Sequence, residues 1–183
     1  INKKGNFLSR LIFDEILSTF LINSKIRKTI KKFKKEKKIF NDDFSNNIKK
    51  ELSYELTSDQ TNALNEINND LKSEEKMFRL LQGDVGSGKT IIALISCFNV
   101  VNSGYQVAFM APTEILAYQH YKLAQSLLKD KIKIGFLTSK TDYTERKKII
   151  KDLEANKIKI LFGTHSVFQE KINYNKLGLI VID

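Results

Sequence analysis

The sequence predicts an α/β fold, with a parallel sheet covered by helices on both faces and preceded by a long N-terminal helix. From residue 57 onward, short apolar runs alternate with segments at helical spacing, which is typical of strands joined by crossover helices. The apolar runs are continuous rather than alternating, as strands buried on both faces require. Before this region, apolar residues recur at helical spacing over residues 7–38.

The N-terminal region is predicted to be one long helix over 7–38, either continuous or with a break. Residues 7–21 carry a wide apolar stripe that must pack on something, whereas lysines dominate residues 25–38. A linker rich in Asn and Asp follows from Asn41. We therefore divide the chain into a basic linker helix region, residues 1–52, and an α/β domain, residues 53–183.

The elements of the α/β domain are bounded by recognisable caps. Thr57 and Gln60 have the spacing of a capping box, Gly104 suits a helix C-terminus, and Thr113 suits an N-cap. The predicted strands cover 77–82, 106–111, 132–137, 158–162 and 179–182. The predicted helices cover 89–103, 114–128 and 142–155, with a short helical segment over 164–170.

The net charge of +10 is unevenly distributed. Residues 1–52 carry 14 Lys and Arg against 6 Asp and Glu, and residues 53–183 carry 17 against 15. A basic region beside a nearly neutral domain favours a polyanion partner such as nucleic acid. The alternative is a base-composition bias of the genome, since 27 of the 31 basic residues are Lys. On charge alone, both interpretations of residues 25–38 stay open.

Several classes of protein are disfavoured by composition. No apolar run reaches the length of a membrane span, so no membrane partner is expected. The single cysteine, Cys97, excludes an internal disulfide and fits a reducing compartment, the cytoplasm. Because the chain starts at Ile1 rather than Met and stops at Asp183, we expect it to be a piece of a longer protein.

Residues 83–90 match the phosphate-binding P-loop pattern, between a predicted strand and a predicted helix. Glycines allow close approach of the backbone to a phosphate, and N–H groups at the helix start attract the anion. Lys89 supplies a positive charge for the β- and γ-phosphates, and the Thr90 hydroxyl can ligate Mg²⁺. The nucleotide-binding residues are therefore predicted to be Gly83, Asp84, Val85, Gly86, Ser87, Gly88, Lys89 and Thr90.

Four polar features follow predicted strands. They are the P-loop, residues 112–114, residues 163–165 and Asp183. Ligands of such sheets bind where the carboxyl ends of the strands meet. We therefore expect the four features to form one site.

Several of these stretches resemble the RecG family of branched-DNA helicases. The motif I and Ia strings, residues 80–90 and 110–120, are the most specific. The transcription-repair coupling factor and the primosome helicase share this architecture, but the Arg-Leu-Ile-Phe-Asp-Glu segment starting at Arg10 favours RecG. Weaker similarities cover the segment before motif I, the Gly-Thr-His segment and the strand entering motif II, at residues 54–60, 163–166 and 177–183.

The resemblance implies a superfamily 2 DNA helicase that uses ATP and Mg²⁺ on forks and Holliday junctions in recombination and repair. It implies that residues 53–183 are the first RecA-like P-loop NTPase domain, truncated at motif II. A second RecA-like domain and a wedge domain of the same parent chain would be partners. The glutamate after Asp183 and the arginine finger lie outside this sequence, so this stretch alone is expected to bind nucleotide weakly without hydrolysis.

The resemblance also suggests roles for single residues. Lys89, Thr90 and Asp183 would be catalytic, with Thr90 and Asp183 acting on Mg²⁺; a turn-capping role is the alternative for Asp183. Gln60 would read the adenine, or else face solvent. His120 is expected to be a packing residue, and no zinc site is expected. The predicted DNA-binding residues are Pro112, Thr113, Glu114, Gly163, Thr164 and His165. Helix capping alone is the alternative for Thr113 and Thr164, and His165 is expected to orient a loop rather than act as an acid or base.

Two further functions remain compatible with the motifs. One is a nucleotide-gated DNA-binding switch without unwinding. The other is a small-molecule kinase with the same P-loop, which the Ala-Pro-Thr-Glu segment from Ala111 to Glu114 disfavours.

Overall fold

The computed structural model describes residues 3–40, 42–129 and 131–183. Within these ranges the chain forms a four-stranded parallel sheet with the strand order β2-β3-β1-β4. The strands are β1 Gln106–Met110, β2 Ile134–Leu137, β3 Ile160–Gly163 and β4 Leu177–Ile182. The parallel sheet confirms the predicted fold class.

Six α-helices and a short 3₁₀ helix accompany the sheet in the described ranges. The α-helices are α1 Lys3–Lys32, α2 Asp42–Glu51, α3 Ser58–Lys72, α4 Lys89–Asn102, α5 Glu114–Leu128 and α6 Tyr143–Glu154, and the 3₁₀ helix is His165–Phe168. The predicted bounds of the fifth helix, 114–128, agree with those of α5.

Helices cover both faces of the sheet at β1 and β3, whereas Ile180 and Ile182 of the edge strand β4 are exposed. On one face, Val107 and Phe109 of β1 pack with α4 and α5, and α2 and α3 lie against this layer. On the other face, Met110 and Leu161 pack with α6 and the 3₁₀ helix. The continuous apolar character of β1 follows from this arrangement, since all five of its residues are buried.

The predicted helix caps are formed. The Thr57 side chain accepts from the backbone N–H of Gln60, and the Gln60 side chain accepts in return from the N–H of Thr57. Gly104, with φ of 85°, follows the C-cap of α4 and has the left-handed backbone that glycine tolerates. Thr113 caps α5 by accepting from the N–H of Leu116.

The predicted helix over 7–38 is wrong in its last part, because α1 ends at Lys32. Residues 35–40 have no regular secondary structure, and Lys34 forms an isolated antiparallel bridge with Glu75. The N–H groups of Lys35 and Lys38 donate to carbonyls of Glu74 and Leu71 at the end of α3. These distant acceptors replace the helical hydrogen bonds that the local pattern predicts.

The linker predicted from Asn41 is also only partly correct. Asn41 itself lies outside the described residues, and α2 follows it. Ile48 of α2 is buried in the main core beside Leu64 and Phe98. The boundary between 1–52 and 53–183 stays a prediction, but residues on both sides of it share one core.

The strand predicted over 77–82 is not formed. Residues 76–84 have no regular secondary structure, and in the described chain no strand pairs with them. Met77 and Leu81 nevertheless pack against the main core, whereas Phe78 and Leu80 are exposed. The apolar pattern thus predicts the core contacts of Met77 and Leu81, but a strand also needs a neighbouring backbone to pair with.

The apolar stripe of α1 is exposed along its described side chains. Leu8, Ile16 and Phe20 are each more than 60% accessible. Among the described helices, none combines the length and the apolar character that a bilayer crossing needs.

The Lys35 ammonium closes the C-terminus of α3. It donates to the carbonyls of Asp70, Leu71 and Ser73 at 2.8–2.9 Å, near the helix end where carbonyls lack intrahelical partners. We expect Lys35→Met, which keeps the aliphatic stem, to lower the free energy of unfolding by about 1–2 kcal/mol. Urea denaturation followed by circular dichroism measures this.

Lys34→Met is the matched control. Lys34 makes an exposed ion pair with Glu74, and such pairs contribute about 0–1 kcal/mol. Equal losses in the two variants would contradict the capping role of Lys35.

Candidate nucleotide site and nucleic-acid edge

The carboxyl ends of all four strands lie in lateral register. Met110 of β1 is aligned with Gly163 of β3 and Ile182 of β4, and Gly163 is aligned with Leu137 of β2. The backbone N–H of Asp183 donates to the carbonyl of Met110 at 2.9 Å. The residues that follow these strand ends therefore meet at one edge of the sheet, as expected.

Helix α4 brings the P-loop to the same edge. A turn of three residues, 103–105, connects the end of α4 to the start of β1, so the helix runs antiparallel to the strand that it packs on. Its first residue, Lys89, consequently lies toward the carboxyl ends of the strands. This placement is the one that the strand–loop–helix pattern of the motif requires.

The P-loop has the backbone and the charge of a phosphate cradle. Gly86 and Gly88 have φ near +80°, a conformation that other residues rarely adopt. The Lys89 ammonium folds over the loop and donates to the carbonyls of Gly83 and Asp84 at 2.8 and 2.6 Å. The start of α4 supplies N–H groups without intrahelical acceptors, so the loop combines three features that attract an anion.

Gln60 links the start of α3 to the P-loop. Its Oε1 accepts from the N–H of Thr57, and its Nε2 donates to the carbonyl of Ser87 at 2.9 Å. Both ends of the amide thus have protein partners, so contact with an adenine would have to share or replace one of them. The adenine role stays a prediction, and the P-loop contact is what the structure adds.

Asp183 lies at the end of β4, where its carboxylate meets α5. Its Oδ2 is 2.7 Å from Nε2 of His120, a buried residue of that helix. The Asp183 side chain remains 41% exposed. His120 packs against Phe109 as expected, and its contact with Asp183 was not predicted.

The oxygen atoms of Thr90 and Asp183 suit Mg²⁺. This ion prefers hard oxygen ligands and is usually held by one or two protein groups together with phosphates and water. In the described chain there is no cluster of three or more His, Cys, Asp or Glu residues that could hold a metal without such help. The donor set therefore fits a nucleotide-bound Mg²⁺ better than a zinc-type site.

The predicted DNA-binding residues occupy the rest of the edge. Thr113 is engaged in capping α5, whereas the Thr164 side chain makes no capping hydrogen bond to the 3₁₀ helix. Pro112 and His165 are exposed, and Gly163 is the last residue of β3. These residues lie side by side, but their contact with DNA stays a prediction.

The loop after β2 belongs to the same edge, although the sequence analysis did not include it. Lys140 pairs with Glu114 at 2.9 Å, and the Ser139 hydroxyl lies 3.4 Å from that carboxylate. The hydrogen bond from Lys140 is the main reason why the pKa of Glu114 is lowered. This loop follows the strand predicted over 132–137. The expectation that ligands bind where the carboxyl ends of the strands meet could therefore have identified it from the sequence.

A comparison with protein families decides the affiliation of the chain. The model of the family described as DEAD/DEAH box helicase matches residues 57–183. The chain belongs to the DEAD/DEAH box helicase family. This match covers the P-loop, the edge residues and Asp183.

Curated relatives of this helicase-family chain are RecG proteins. It is 41% identical over 175 residues to an ATP-dependent DNA helicase RecG of Aquifex aeolicus, and these cover 95% of the chain and 22% of the relative. A chloroplastic/mitochondrial homologue from Arabidopsis thaliana is 41% identical over 196 residues, with 95% of the chain and 20% of the relative covered. The chain thus spans about a fifth of the length of these relatives.

A solved structure shares the fold. The structure of RecG bound to a three-way DNA junction matches with a TM-score of 0.84 and 38% identity, over 94% of this chain and 24% of that one. The expected RecA-like fold and the presence of a long N-terminal helix, α1, are confirmed.

The double role of Gln60 can be separated by Gln60→Glu. The substitution keeps an acceptor for the N–H of Thr57. It replaces Nε2, which donates to the Ser87 carbonyl, by a carboxylate oxygen that faces the carbonyl oxygen and cannot donate. We expect the free energy of unfolding to fall by about 0.5–1.5 kcal/mol, because one hydrogen bond is lost, while the affinity for a fluorescent ATP analogue falls about tenfold.

Thr57→Ala is the converse control. It removes the cap at a cost of about 1 kcal/mol and leaves the P-loop contact. If Gln60→Glu binds nucleotide as tightly as the unchanged protein, the link between Gln60 and the P-loop has no role in binding.

Proposed function

We propose that the protein carrying this chain is an ATP-dependent DNA helicase or translocase that acts on branched DNA, such as forks and Holliday junctions, in recombination and repair. The observation that carries the proposal is the single sheet edge shared by the P-loop, Asp183 and the residues at 112–114 and 163–165. The RecG names of its relatives and the three-way DNA junction in a solved RecG structure support the substrate class.

ATP is the proposed cofactor, held by residues 83–90. The Lys89 ammonium, already within reach of the loop carbonyls, would exchange them for β- and γ-phosphate oxygens. Thr90 and Asp183 would hold Mg²⁺, which neutralises charge that develops on the phosphates. Gln60 keeps the P-loop next to α3, where the adenine would be read.

DNA phosphates are the proposed ligands of the remaining edge. Hydroxyl groups and helix N-termini bind phosphates without reading sequence, and both occur at Thr113 and Thr164. Lys140 adds a positive charge beside Glu114. A motor that moves along DNA needs contacts of this sequence-independent kind.

The basic stretch over 25–38 is a weaker candidate for DNA contact. Lys34 and Lys37 pair with Glu74, and Lys35 caps α3. Lys38 is 4% exposed and lies over the Tyr105 ring. Four lysines of this stretch thus have partners within the protein, so we assign the main DNA contact to the sheet edge.

We further propose that residues 53–183 are the first of two RecA-like domains, preceded by a linker region over 1–52. The second RecA-like domain and a wedge domain of the same parent chain are the proposed intramolecular partners. The bacterial relatives support a cytoplasmic location.

Lys89→Ala tests the nucleotide site. Losing a charge-assisted contact to phosphate should cost about 1.5–3 kcal/mol, so we expect DNA-stimulated ATP hydrolysis by the complete protein to fall to background. Lys147→Ala, at an exposed lysine of α6, is the control and should retain the activity.

Hydrolysis at the normal rate in Lys89→Ala would refute the P-loop assignment.

A strand-displacement assay on forked DNA, with the complete protein, distinguishes a helicase from a nucleotide-gated switch, because only the helicase releases a strand.

Thr164→Val tests the nucleic-acid edge. The Thr164 hydroxyl makes no capping hydrogen bond, so its removal should leave the free energy of unfolding within about 0.5 kcal/mol of the original. If the hydroxyl binds a phosphate, the affinity for forked DNA should fall about threefold to tenfold. Fluorescence anisotropy at one fixed salt concentration measures this.

Thr19→Val, at an exposed threonine of α1, is the matched control for this substitution. Unchanged DNA affinity in Thr164→Val would remove Thr164 from the interface.

A further inference from the structure

The structure places a hydrogen-bond donor against the carboxylate to which the proposed function assigns Mg²⁺. Nε2 of His120 lies 2.7 Å from Oδ2 of Asp183, although the two residues are 63 positions apart in the chain. In the ionised form that would bind Mg²⁺, the Asp183 carboxylate can only accept a hydrogen bond, and the pairing then assigns the Nε2 proton to His120. The bond therefore fixes the side chain of Asp183 from one side.

His120 is itself held rigidly. Its side chain is 9% exposed, and its ring centroid lies 5.1 Å from that of Phe109 in β1 at an interplanar angle of 48°. Phe109 in turn stacks on Phe162 of β3. The imidazole is thus anchored to the centre of the sheet, and its donor is directed at the end of β4.

This arrangement leaves half of the carboxylate available. A hydrogen bond to Oδ2 leaves Oδ1 to bind a metal ion or its water. Without the donor, the carboxylate of a strand-end residue could adopt other rotamers, and a metal ion would have to select one of them. Groups that hydrogen-bond to metal-ligating carboxylates commonly change metal affinity 10–100-fold.

We propose that His120 is the positioning residue for Asp183, which it orients for Mg²⁺ without contacting the nucleotide. The inference rests on the proposed ATP site. The competing explanation is that His120 only packs against Phe109. Substitutions by Gln and Met distinguish positioning from packing, because the two side chains have similar size but only Gln can donate a hydrogen bond.

The test uses the complete protein with the substitutions His120→Met and His120→Gln. The readout is binding of a fluorescent ATP analogue as a function of Mg²⁺ concentration, with thermal unfolding of each variant recorded in parallel. For His120→Met we expect the Mg²⁺ concentration at half-maximal binding to rise at least about tenfold. Binding in EDTA should not change, since it depends on Lys89 and the loop backbone.

His120→Gln should restore the Mg²⁺ midpoint to within about threefold of the original, because its Nε2 can donate to the same oxygen. A normal midpoint in His120→Met would overturn the proposal. Equal impairment of the Gln and Met variants would also overturn it, because the ring rather than the donor would then be required. If His120→Met does not fold, His120→Phe, which keeps an aromatic ring against Phe109, replaces it in the comparison.

The unchanged protein separates this inference from the proposed function. If it binds the analogue without any dependence on Mg²⁺, the proposed Mg²⁺ site at Thr90 and Asp183 is wrong. If it shows that dependence and His120→Met shares it unchanged, only the role of His120 is wrong.

Discussion

Pairing of β1 with β3 on one side and β4 on the other is the interaction on which the site depends. Its register is anchored at the amino end by Gln106, whose side chain is fully buried. Nε2 of Gln106 donates to the carbonyls of Leu153 and Ile158, and Oε1 accepts from the N–H of Lys176. A buried amide that is satisfied in this way fixes three segments relative to each other, and a slip of any strand would leave it unpaired.

At the carboxyl end the same register determines which side chains can meet. Aligning Met110 with Gly163 and Ile182 places Thr164 and Asp183 on either side of the segment that leads into α5. That helix then returns across the sheet, so His120 reaches Asp183 while Thr113 stays at the edge. One helix therefore contributes both to the proposed nucleic-acid surface and to the proposed metal site.

Local sequence signals predicted much of the local structure, although helix α2 was missed in the predicted linker, and the other failures are non-local. The capping box of Thr57 and the bounds of α5 depend on neighbouring residues, and both are correct. The end of α1 depends on carbonyls of α3 more than 30 residues away, which Lys35 binds. The predicted strand over 77–82 depends on a pairing partner, and the contact between His120 and Asp183 joins residues that no pattern relates. The shared edge could be predicted from the sequence, because the carboxyl ends of parallel strands meet at one edge. This expectation depends on the topology of the sheet rather than on local sequence.

The charge of the chain shows why composition alone could not locate a nucleic-acid surface. Burial is the main reason why the pKa values of Lys35 and Lys38 are lowered, so these two ammonium groups are partly withdrawn from solvent. Around Tyr105, Glu36 offsets part of the lysine charge, since the Tyr105 hydroxyl donates to Glu36 while Lys38 and Lys176 lie near its ring. The excess of lysine in residues 1–52 is thus partly used to fasten residues 33–40 to the domain. The proposed nucleic-acid edge contains mainly hydroxyls and helix N-termini instead, and such groups bind phosphates through directed hydrogen bonds rather than net charge.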